Sequence, residues 1–248
     1  MFSKEEFQTW AKDNVVLFAS IMTRIEGRED DALLKDYGFR GFPSMAILDG
    51  SGDAITKKVA RELPAMKESV AACNAYAKTK AKVDAGEDVD PAEWFLTRLA
   101  LGQFSVDEAK EAAAELELTE SQKATYDKAL LGLELDGLMA SARNPAGQKA
   151  AAEAVYAFYK AGRVPAAGSQ QESFFMAMLG SAADSKNDGD AYLVAGPHLL
   201  KQAKDALKRI EDMREGFKGD PKRIEEAIDR MKKQVTDIEA KLESFKKG

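Results

Sequence analysis

Two residue types that carry much of protein chemistry are nearly missing from these 248 residues: there is one cysteine, Cys73, and one histidine, His198. A single cysteine forbids an intrachain disulfide and a zinc site built on several thiolates, and a single histidine forbids a His-rich metal centre. Nothing in the cysteine usage reports on an oxidising compartment. Long apolar runs are missing too, none approaching the roughly 20 residues of a membrane span. The opening MFSKEEFQTW has no basic stretch followed by an apolar one, so no signal peptide is visible. An excess of basic charge is also lacking. The 36 Lys+Arg face 42 Asp+Glu for a formal net charge of −6, which argues against nucleic-acid binding by ordinary electrostatics. No glycine-rich phosphate loop occurs. What remains, 45% hydrophobic and 31% charged, describes a soluble globular chain long enough for one large domain or two small ones.

Strand signals are confined to the first 60 residues. Val15 to Ile21 is a continuous apolar run that suits a strand buried on both faces, and Ser44 to Leu48 is a second. Asp49-Gly-Ser-Gly-Asp53 is a dense turn signal, and Ala54 to Val59 is mixed enough for an edge strand, so the pair predicts a β-hairpin. Phe7, Trp10 and Ala11 share one face of a short helix ahead of the first strand, and Glu29 to Tyr37 reads as a helix stopped by Gly38.

From Leu63 the period is helical. Leu63, Met66, Val70, Cys73 and Ala77 line one stripe of a helix that continues to about Val83, and the polar stretch 86–91 is the best domain boundary. Ser105 with Glu108, and Thr119 with Gln122, match the capping box. Asn144-Pro145 opens a helix through Tyr159, ended by Gly162 and Pro165, and another runs from Ser169 to about Ala183. After the break at 185–190 a further helix is expected near His198. No tetratricopeptide repeat aligns with a second copy, so irregular helical hairpins are expected. Residues 199–248 carry a net +3 against −9 for the rest. Ile224, Ile228, Met231, Val235, Ile238, Leu242 and Phe245 form a heptad seam matched by Leu200, Ala203, Leu207 and Ile210. With Asp220 as N-cap and Pro221 at the first helical position, this end predicts an antiparallel helical hairpin.

The segment 34–53, with Tyr37-Gly38, Gly41-Phe42-Pro43, the apolar run and the Asp49 turn, resembles the second half of a thioredoxin-like domain, and the likeness extends over about residues 1–83. The resemblance implies that Pro43 is a cis-proline and that the Phe42 backbone faces an extended substrate, making Phe42 and Pro43 the candidate substrate-binding residues. It also implies a Cys-x-x-Cys pair upstream of Phe2. None is present, because the first strand and the start of the first helix are absent. Dithiol exchange needs a low-pKa thiolate and a resolving partner, which Cys73 on an apolar helix stripe cannot supply together. Two situations account for the missing strand: Met1 lies inside a longer protein whose upstream part holds the cysteines, or the domain is rebuilt and redox-dead. In either case the two apolar strands must pair directly, expose edges or accept a strand from another chain.

Other constellations have plain structural readings. Asp49, Ser51 and Asp53 resemble the opening of a calcium loop, yet Ala54 and Ala60 stand where the EF-hand needs glycine and a bidentate acid. Asp184, Asp188 and Asp190 read as an interhelical loop. His198 has no recognisable nucleophile motif around it. Glu26, Glu29, Asp30 and Asp31 favour a helix N-terminus electrostatically. Trp94–Phe95 and Phe174–Phe175 read as helix–helix core.

The expected class is α+β: an incomplete thioredoxin-like domain over 1–86, helical hairpins over 87–196 and an antiparallel coiled-coil-like hairpin over 197–248. Two functions of different kinds follow. One is a thioredoxin-like protein of disulfide-exchange ancestry, catalytically incompetent as this chain and an oxidoreductase only where an upstream Cys-x-x-Cys exists. The other is a non-enzymatic binding or scaffold module using its helical hairpins. Either way the expected partner is a protein or peptide, with no cofactor, metal, nucleic acid or membrane, and self-association through the sheet edge or heptad seam stays open. The location reads as cytoplasmic as written, and as periplasmic or secreted if a segment bearing a signal precedes it.

Overall fold

A computed structural model describes residues 2–19, 32–39, 41, 43–59, 62–167, 169–214, 216, 217, 219 and 221–247. The chain is mostly helical with one small two-stranded antiparallel sheet, a helix-rich α+β arrangement. It divides into two compact units, Met1–Ala129 and Leu130–Gly248.

In the first unit, α1 (Glu5–Asn14) begins with two glutamates that complement its N-terminal dipole and turns Phe7 and Ala11 inward, each 2% exposed. They pack on Leu63 and Met66 of α3 (Leu63–Asp84), with Trp10, Val15, Met45 and Val59 around them. After the short α2 (Leu33–Asp36), Gly38 takes the left-handed conformation at φ 68°, which ends the helix where the sequence places the stop. The expected hairpin forms from β1 (Ile47–Leu48) and β2 (Ala54–Thr56), shorter than the runs that announced it. Ile47 faces Thr56 and Leu48 faces Ala54, so Ile55 is an extra residue, a bulge in the ladder. Its side chain is buried with Cys73 and Leu101, and its carbonyl accepts from Gln103 Nε2 at 3.0 Å. Thr56 Oγ1 donates to the Leu101 carbonyl at 2.8 Å and accepts from the Lys58 amide at 3.0 Å. These bonds fasten the sheet to the turn after α4 (Pro91–Ala100), so that α3 and this turn supply the core the two strands lack.

The strand expected over Val15–Ile21 does not form in its described part. Residues 15–19 have no regular structure, and Val16, Leu17 and Phe18 are 99%, 64% and 68% exposed. The run is apolar enough for a central strand, but such a strand needs a hydrogen-bonding neighbour along each edge. Among the described residues β1 and β2 pair only with each other.

Local signals place the later helices well. Asp90 caps α4 by accepting from the Ala92 amide, and both halves of the Ser105–Glu108 capping box are made at the start of α5 (Val106–Ala114). The Thr119–Gln122 box opens α6 (Glu120–Ser141), and the boundary between the units falls within this helix. In the second unit, α7 (Pro145–Lys160) is capped by Asn144 and followed by α8 (Gln170–Lys186), α9 (Gly189–Met213) and α10 (Pro221–Lys246). Leu135, Val155, Phe175 and Leu179 are fully enclosed in the core they share. Burying each such side chain contributes about 1.5–3 kcal/mol.

A helix start near His198 is not what the chain adopts. Pro197 lies inside α9, which begins at Gly189 behind the Asp188 cap. Proline is tolerated at a helix start because its missing amide is unneeded there, whereas here it leaves the Leu193 carbonyl without its usual donor. Gly196 next to it permits close helix packing: a Cβ at that position would lie 2.5 Å from Leu242 Cδ2 of α10. The terminal hairpin is antiparallel, as Lys204–Glu239, Glu211–Lys232 and Arg214–Glu225 pair in descending order along α10. Ile224, Ile228 and Leu242 are buried along the seam, and Met231, Val235, Ile238 and Phe245 are half-buried. The seam therefore turns inward, and Asp220, the expected cap, lies outside the described residues.

Candidate functional site

Of the two residues singled out by resemblance, Phe42 lies outside the described residues and Pro43 sits exposed in a bend between α2 and β1. Ser44 Oγ donates to the Gly41 carbonyl across this bend. Tyr37 OH donates to the Gly52 carbonyl at 2.6 Å, which holds the end of α2 against the hairpin turn. Within that turn the Asp49 carboxylate accepts from the amides of Ser51 and Asp53 at 2.9 and 3.0 Å. One of its oxygens is thus occupied by the turn itself, in keeping with a structural role. Among the described residues no group of three or more His, Cys, Asp or Glu side chains is placed to hold a metal ion. Glu26, Glu29, Asp30 and Asp31 lie outside the described residues.

The segment that follows α1 has an unusual surface. Val16, Leu17 and Phe18 present three consecutive apolar side chains to solvent, and among the described residues their backbone groups make no hydrogen bond. Val15 still closes α1 by donating to the Ala11 carbonyl, and Val15 and Met45 both pack on the α1–α3 core. The exposed run and the segment leading into β1 therefore emerge from one cluster. Such a segment can accept an extended chain by strand addition, in which backbone bonds supply affinity and alternate side chains supply selectivity.

Cys73 is enclosed rather than presented to solvent. It is 2% exposed in the cluster with Ile55 and Leu101, and burial pushes its thiol up to about 11, away from the thiolate form.

Two polar clusters were not foreseen from the sequence because each joins residues of different helices. Asp188, expected only as loop, accepts from the Ala191 amide at 3.0 Å, from Tyr156 OH at 2.7 Å and from Lys160 Nζ at 2.7 Å. The Lys160 ammonium, that amide and the phenol together hold its carboxyl well below the usual carboxylate range. It is a helix cap that also ties α7 to the α8–α9 junction. The second cluster is Ser173 Oγ and Gln202 Nε2, which meet at His198 Nε2 at 3.3 and 3.0 Å. An amide nitrogen can only donate, so the ring nitrogen that would take the Ser173 proton already accepts from Gln202. Among the described residues no third group that would orient the ring is bonded to its other nitrogen, so they do not assemble a hydrolytic triad there.

The aromatic pairs read as core are largely that. Phe95 and Phe175 are buried, and Trp94 stacks on Tyr76 at 5.2 Å with the Arg98 guanidinium over its ring. No described helix is long and apolar enough to cross a membrane. No family model, curated protein or solved structure matches the chain.

Proposed function

We propose that this chain is a protein-binding module of thioredoxin-like ancestry, which holds an extended segment of a partner protein and carries no dithiol of its own. The observation that carries the reading is the exposed run Val16-Leu17-Phe18, which leaves the same α1–α3 cluster that Met45, two residues before β1, packs against. Further support comes from the order of elements along the chain, a helix, an apolar run, a short helix, a hairpin and a long helix, with Pro43 between the short helix and the hairpin. The reading places recognition on the first unit. The heptad seam of α9 and α10 is already used within the second unit, which makes the terminal hairpin the weaker candidate for the same task.

The test compares the wild-type chain with the double variant Val16→Asp/Phe18→Asp by titrating both with a library of extended apolar peptides. Both side chains are exposed, so the variant is expected to keep wild-type stability while its peptide binding falls at least tenfold. Equal binding by the two proteins would overturn the proposal. An insulin-reduction assay on the 248-residue protein is expected to stay at background, and clear turnover would equally refute it.

A further inference from the structure

We draw no further inference here: the strongest candidate, the groove between α9 and α10 floored by Leu193, Pro197, Leu200 and Leu242, has two of its rim lysines, Lys204 and Lys246, already paired with Glu239 and Glu243, and nothing in the structure shows what covers it.

Discussion

Asp188 does the most work of any single side chain described above. One carboxylate caps α9, receives the Tyr156 hydroxyl and pairs with Lys160. Asp188→Ala removes all three partners at once and is expected to cost about 2 kcal/mol in urea unfolding followed by circular dichroism, from the lost cap and hydrogen bonds. Asp188→Asn keeps the capping oxygen for the Ala191 amide but puts an amide nitrogen, which can only donate, where Oδ2 accepts from Tyr156 and Lys160, so its cost should be smaller than that of alanine and should depend on pH. Because the folded-state pKa of Asp188 is lowered, its contribution is complete above the unfolded value of about 3.9 and is lost as pH falls from there toward the folded value. The stability gap between wild type and Asp188→Asn is therefore expected to be widest near neutrality and to narrow at about pH 3. A gap that stays constant over that range would show that the charge contributes nothing.

Among the elements, α9 contains an internal contradiction: Pro197 interrupts the hydrogen-bond ladder of a 25-residue helix, and its side chain is exposed. An interior proline costs about 3 kcal/mol relative to alanine. Pro197→Ala restores a donor for the Leu193 carbonyl and is expected to raise stability by about 1–3 kcal/mol, read as a higher Tm. No gain would mean that the surrounding helix is already adapted to the break. This helix also shows where sequence reasoning reaches and where it stops. Caps at Asn144, Ser105 and Thr119 and the seam from Ile224 to Phe245 were legible because each depends on residues three or four apart. The start of α9 is harder to place, because Gly196-Pro197 resembles an entry signal, while the cap that begins the helix, Asp188, lies in a stretch whose composition reads as loop. Val15 to Ile21 misled for a different reason. Its composition suits a buried strand, but burial is decided by neighbours distant in sequence, and no described segment provides them. Phe42 and Pro43 are candidates only through the resemblance, since they carry no local pattern that distinguishes them from an ordinary bend. In the Asp188 and His198 clusters the contacts between helices join side chains 25 to 32 residues apart, a separation over which no periodicity speaks.

At the scale of the whole molecule, the two units set how perturbations combine. Thr56 is 4% exposed and links β2 to the Leu101 carbonyl in the first unit, while Asp188 belongs to the second. Thr56→Val leaves the Lys58 amide and the Leu101 carbonyl without this partner and is expected to cost about 1–2 kcal/mol. The two sites share no partner, so the Thr56→Val/Asp188→Ala double variant should lose the sum of the single losses to within about 0.5 kcal/mol. A larger departure would reveal coupling carried along α6, the helix in which the boundary lies. The distribution of aromatic residues makes this division directly visible. Both tryptophans, Trp10 and Trp94, lie in the first unit, packed on the α1–α3 core and stacked on Tyr76 respectively. Indole emission excited at its red edge consequently follows Met1–Ala129 alone and is blind to the melting of the remaining helices, so any offset between that optical signal and total ellipticity reports how independently the halves of this chain come apart.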